Sequence, residues 1–161
     1  MNSGQIFGSI TVRLVAMAAT LTAGIVMFTA HGRAVTAGGI PIRIGYSDVG
    51  VFKFFAVANI VGSVYTLLVL FLPSKSLLWR LVLAVDGVLA LLLASGASAA
   101  MAVATAHRRG AVEFGWRPIC ADLPNYCDRT LGAIVAGTIA AVAYLALLLF
   151  SLHIVLNPLL V

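Results

Sequence analysis

Two ionisable residues of opposite charge stand inside long apolar runs: Arg13 and Asp86. A lone charge at the centre of a bilayer costs roughly 3 kcal/mol even on the most lenient insertion scale. A chain keeps such a group when it is paired, lines an aqueous path, or both. Two chemistries are open to the pair. It could relay a proton or an ion, or it could lock two helices together as a bidentate guanidinium–carboxylate contact. A relay calls for further titratable groups along the span, and the sequence offers none there: His31, His107 and His153 fall at the ends of runs or between them. Arginine does not release its proton. The structural clamp is therefore the expected role. A second chemistry lies in Cys120 and Cys127, the chain's two cysteines, with six residues between them. In an oxidising compartment that spacing closes a small disulfide ring; two free thiols in a cytoplasmic loop are the alternative.

The elements that hold these residues are membrane spans. Of 161 residues, 62% are hydrophobic and 9% charged, against about 25% charged in a soluble domain. The apolar residues fall in four runs, about 6–30, 51–72, 77–106 and 131–156, each long enough to cross a bilayer. The first lacks a basic leader and exceeds a signal-peptide core in length, so it is read as a retained span. Together the runs predict one domain over 1–161, an all-α membrane protein built as an up-down-up-down four-helix bundle, with both termini on one face.

Spans one and three then enter from the same side. At 1.5 Å per residue, Arg13 lies about 10 Å and Asp86 about 13 Å into their runs. Helical spacing places Arg13 on a stripe with Ala16, Thr20 and Gly24, and Asp86 on one with Ala90, Ala94 and Ala97. Small residues let membrane helices approach closely, so both charges are expected to face protein and each other. Ala133, Gly137 and Ala141 form a small-xxx-small series in span four, suited to a helix contact within the bundle or between subunits. Asn59, Ser63, Tyr65, Thr66, Ser95 and Ser98 read as hydrogen-bonding glue, and Trp79, Trp116, Tyr46 and Tyr126 as interfacial aromatics.

Several classes are excluded on composition and motif. There is no Cys-x-x-Cys, no metal-ligand cluster and no phosphate-binding glycine loop. No cofactor or metal is expected, and no enzymatic activity. The charge of +5 is spread over loops, which gives no footprint for nucleic acid; anionic lipid headgroups fit Lys75 and Arg80. Loop charges and cysteines disagree about orientation. Arg33, Arg43, Lys53, Arg108, Arg109, Arg117 and Arg129 would draw loops 31–50 and 107–130 into the cytoplasm, whereas a disulfide places them outside.

The chain resembles the plant Casparian-strip-membrane-protein-like family, relatives of the MARVEL four-helix membrane proteins. The resemblance is carried by Val12-Arg13-Leu14 with Ala16, Ala19, Thr20, Leu21, Ala23 and Ile25-Val26-Met27, and by Tyr46-Ser47-Asp48 through Phe52, Phe54-Phe55, Val57-Ala58-Asn59 and Tyr65. Asp86 matches that family's third-span aspartate and Arg13 its first-span arginine. The loop with Trp116, Cys120, Cys127 and Asp128 is similar to its second extracellular loop. Gly38-Gly39-Ile40-Pro41-Ile42-Arg43 differs from the first-loop signature of the members that build the Casparian strip. The resemblance implies a plasma-membrane protein with cytoplasmic termini, loops 31–50 and 107–130 extracellular, and homo- or hetero-oligomers with family members. The expected function is a non-enzymatic scaffold that self-associates into platforms organising client proteins or limiting lateral diffusion. A small channel or transporter using Arg13 and Asp86 is the competing expectation.

Overall fold

The computed structural model describes residues 3–35, 41–71, 79–110 and 118–156. Four helices dominate: α1 (Ser3–Phe28), α2 (Gly50–Leu70), α3 (Trp79–Arg109) and α4 (Pro124–Leu156). All four are long and apolar enough to cross a membrane. At 1.5 Å per residue even the shortest is about 32 Å long, which matches the roughly 30 Å hydrocarbon core. In lipid every backbone polar group must be satisfied within its own segment, so apolar runs of this length fold as helices.

Each helix has two neighbours. α1 packs on α2 and α4, and α3 packs on the same two. That leaves α1 opposite α3 and α2 opposite α4 across the diagonals. The interior has two apolar layers. Towards the loop end it holds Met27, Phe52, Phe55, Leu123, Tyr126 and Ile134. Towards the terminal end it holds Ala16, Leu89, Leu93, Tyr144 and Leu147. The outer surface is apolar as well, with Leu91 75% and Val142 65% exposed. A helix apolar on all sides is one that lipid surrounds.

Three departures from the sequence reading are visible. The connection after α1 contains an antiparallel hairpin, β1 (His31–Val35) and β2 (Pro41–Gly45), followed by a 3-10 turn at Tyr46–Asp48. Pro41 opens its strand, a position where the missing N–H is tolerated. Secondly, α4 begins at Pro124 rather than near 131. The helix extends past the edge of the apolar run, so Cys127, Asp128 and Arg129 are helical; proline suits a first helical turn, where its N–H would have no partner. Thirdly, α3 continues through His107, Arg108 and Arg109. It is closed by Gly110 at φ 68°, whose N–H donates to the Ala106 carbonyl at 2.9 Å. That is a left-handed cap, and basic residues in the last turn complement the carbonyl end of the helix.

Candidate functional site: the polar centre of the bundle

Arg13 projects from α1 and Asp86 from α3, across a diagonal of the bundle. Arg13 Nη2 donates to Asp86 Oδ2 at 2.7 Å, and Nη1 reaches Oδ1 at 3.5 Å. Both side chains are almost fully enclosed, at 4% and 0% exposure. The guanidinium thus engages both carboxylate oxygens, with one short arm and one long. In a medium of low dielectric this pairing is what makes two charges tolerable at all. It also joins two helices that otherwise stand apart.

The walls explain the approach. On α1, Arg13, Ala16, Thr20 and Ala23 are buried, as is Gly24, where an added Cβ would lie 2.6 Å from Ile60 Cδ1 on α2. On α3 the buried stripe runs through Asp86, Leu89, Ala90, Leu93, Ala97 and Ala100. Ala94 is not part of it, contrary to the expected stripe. It is exposed and lines an outer groove between α3 and α4, because 3.6 residues per turn carry position 94 away from position 86.

The other diagonal carries a hydroxyl latch. Tyr144 on α4 donates to the Gly62 carbonyl of α2 at 2.7 Å and touches the Thr66 hydroxyl, which itself lies 3.0 Å from that carbonyl. Tyr144 and Thr66 are both fully buried. Tyr65 links α2 to α3 by donating to the Val82 carbonyl at 3.0 Å. Tyr144 was not singled out from the sequence. Its signal is a seven-residue offset from Gly137, which puts both on one face. Of the expected glue residues, Asn59, Ser63, Ser95 and Ser98 donate to carbonyls of their own helices and bridge nothing among the described residues.

The α4 series divides. Ala133 and Gly137 face the interior. A Cβ at Gly137 would collide with the Phe55 ring of α2, so the glycine is what admits that ring to the centre. Ala141 is only half-buried and lines the outer groove with Ala84, Gly87 and Ala94. Cys120 and Cys127 are joined as a disulfide with Cα atoms 5.7 Å apart, tying the 3-10 turn at Ile119–Ala121 to the first turns of α4. Nearby, Arg129 donates to the Thr29 carbonyl at 3.2 Å. Of the aromatics, Tyr46 packs edge-on to Phe28 and Tyr126 is buried. Trp116, Lys75 and Arg117 lie outside the described residues. Among the described residues no group of three His, Cys, Asp or Glu could hold a metal ion.

Four spans, a buried ion pair on one diagonal and a hydroxyl latch on the other define a multi-span helical membrane protein. Comparison with known proteins sharpens the class. Residues 3–143 match the model of the Casparian strip membrane protein domain, and the chain belongs to that family. It is 47% identical over 151 residues to CASP-like protein 1C1 of Arabidopsis thaliana, covering 94% of this chain and 92% of the relative. It is 44% identical over 154 residues to CASP-like protein 1C2 of the same plant, covering 96% and 93%. Against CASP-like protein 1C2 of Populus trichocarpa it is 46% identical over 152 residues, covering 94% and 93%. No solved structure matches.

Proposed function

We propose that the protein is a non-enzymatic scaffold of the plasma membrane that self-associates, or associates with related chains, into platforms that organise other proteins or limit lateral diffusion. The observation that carries this reading is the use of the buried polar groups. Arg13 and Asp86 engage each other, and Tyr144, Thr66 and Tyr65 engage one another or backbone carbonyls. A transporter needs polar groups lining an open path, whereas here they close the packing of the bundle. The α3–α4 groove, with a volume of about 730 Å³, is walled by apolar residues such as Leu83, Leu91 and Leu145 and faces lipid. Lipid provides no hydrophobic drive for helices to associate, so contacts between subunits depend on close packing at such small-residue surfaces.

The orientation that accompanies this proposal puts loops 31–50 and 107–130 outside the cell and the termini in the cytoplasm. The Cys120–Cys127 disulfide supports it, since such bonds persist in oxidising surroundings. Native mass spectrometry in mild detergent, with crosslinking in membranes at low expression, tests the assembly. Discrete higher species are expected. A monomer at every expression level would refute the scaffold, and an ion or proton flux through the protein in liposomes would replace it with a transporter.

A further inference from the structure

The hairpin lies over the loop end of the bundle with two unlike faces. Its inner face carries Gly32 and Ile44. A Cβ at Gly32 would come within 2.8 Å of Leu123 Cδ2, and Ile44 packs against the core cluster that contains Leu123 and Tyr126. With the period of two of a strand, the outer face takes His31, Arg33, Arg43 and Gly45. Arg33 and Arg43 are directly paired in the register, so their Cβ atoms are about 5 Å apart on one face. Like charges in that position destabilise a sheet, and a two-stranded hairpin is marginal to begin with.

Neither arginine finds relief among the described residues. Both are exposed, and among the described residues neither side chain forms an ion pair or a hydrogen bond. Among the described residues that line this rim, the acidic side chain is Asp48. Its Oδ2 already accepts the Gly45 N–H at 2.7 Å, which fixes the turn after β2. Together His31, Arg33, Arg43 and Asp48 border a cleft of about 200 Å³.

We propose that this cleft binds a soluble ligand through an oxyanion, a phosphate or carboxylate gripped between Arg33 and Arg43. Guanidinium forks match both oxyanions in bidentate fashion. A bound oxyanion removes the repulsion that the register builds in, and the imidazole of His31 adds a further donor at the edge. The inner face rests on the bundle end, so the outer face opens to water rather than to the bilayer. The ligand therefore arrives from the aqueous layer. This inference rests on the hairpin alone and holds whichever way the bundle is oriented or assembled.

The test uses the full chain in nanodiscs of zwitterionic lipid, with sodium phosphate titrated against sodium chloride at matched ionic strength. Phosphate should raise the melting temperature of the parent protein. Arg33→Gln and Arg43→Gln should each weaken the apparent affinity about tenfold, the loss of one charge-assisted fork, and the double variant should not respond. In chloride the single variants should melt at or above the parent, because the repulsion is gone, which separates lost binding from lost folding. Asp48→Asn keeps an acceptor for the Gly45 N–H but removes the opposing charge, and should tighten binding several-fold. A parent that does not respond overturns the proposal. So does an equal response in the double variant, which would mark an adventitious ion only. Nanodiscs containing phosphatidylglycerol, without soluble phosphate, should show no arginine-dependent stabilisation; if that arm alone responds, the ligand is a lipid headgroup and the aqueous site is wrong.

Discussion

The Tyr144 hydroxyl of α4 reaches across the bundle to the Gly62 carbonyl of α2, 2.7 Å away. The two helices are diagonal partners, so this bond does for α2 and α4 what the Arg13–Asp86 pair does for α1 and α3. The Gly62 carbonyl belongs to the helical ladder already and also lies within hydrogen-bond reach of both the Thr66 and the Tyr144 hydroxyls. Without a side chain at that position, the Tyr144 hydroxyl comes close. Tyr144→Phe should therefore destabilise the protein by about 1 kcal/mol, the scale of interhelical bonds measured in membranes. Thermal unfolding in detergent would show it, and Tyr144→Ala should cost several-fold more by also emptying a core site.

Gly137 makes a sharper steric prediction. A Cβ there meets the Phe55 ring, and both residues are buried at the centre. Gly137→Ala should cost about 1–3 kcal/mol as overpacking. Trimming the ring with Phe55→Leu in the same chain should return part of the loss, a coupling that melting curves of the two singles and the double would measure. Ala141→Leu, on the outer groove, should leave the melting temperature of the isolated subunit nearly unchanged.

How far the sequence led depends on what lipid demands of it. A bilayer forces apolar residues into long runs, so the four spans and the shared depth of Arg13 and Asp86 were legible from the residues alone. The hairpin was not. Strands of five residues, with a glycine in each and a proline opening the second, carry too weak an alternation to separate from a loop. The start of α4 was not legible from the apolar run, because the run marks only the apolar part of the helix, which also includes Cys127, Asp128 and Arg129. Ala94 was put on the wrong face because a four-residue step drifts with each turn from the true helical period. The Tyr144 latch depends on a carbonyl, which no side-chain pattern announces.

The disulfide offers a chemical test of both geometry and compartment. Cys120 and Cys127 are bonded, and among the described residues no free cysteine remains. Protein taken from membranes and alkylated without reductant should gain no alkyl group, and after reduction in denaturant it should gain two. Closing so short a ring constrains the unfolded chain by about 2 kcal/mol in the loop-entropy model. Cys120→Ser should lower the unfolding temperature accordingly, and Cys120→Ser with Cys127→Ser should lower it no further, since the bond is lost once.

The Arg13–Asp86 pair separates a structural role from a conducting one. Truncating either partner leaves a buried charge without its counter-ion, which costs about 3–5 kcal/mol. Arg13→Ala and Asp86→Ala should each reduce thermal stability in detergent and the fraction of protein reaching the cell surface. Asp86→Asn should be milder, because the amide oxygen still accepts from the guanidinium. Arg13→Leu combined with Asp86→Leu removes both charges and should recover much of the stability that either single truncation loses, as replacement of buried ion pairs by apolar residues often does. Recovery in the double variant, with assembly intact, is the result a clamp requires. Singles as stable as the parent would mean the 2.7 Å contact contributes nothing to the fold. A double variant that folds and assembles while abolishing an ion flux measured for the parent would show that the charges serve transport.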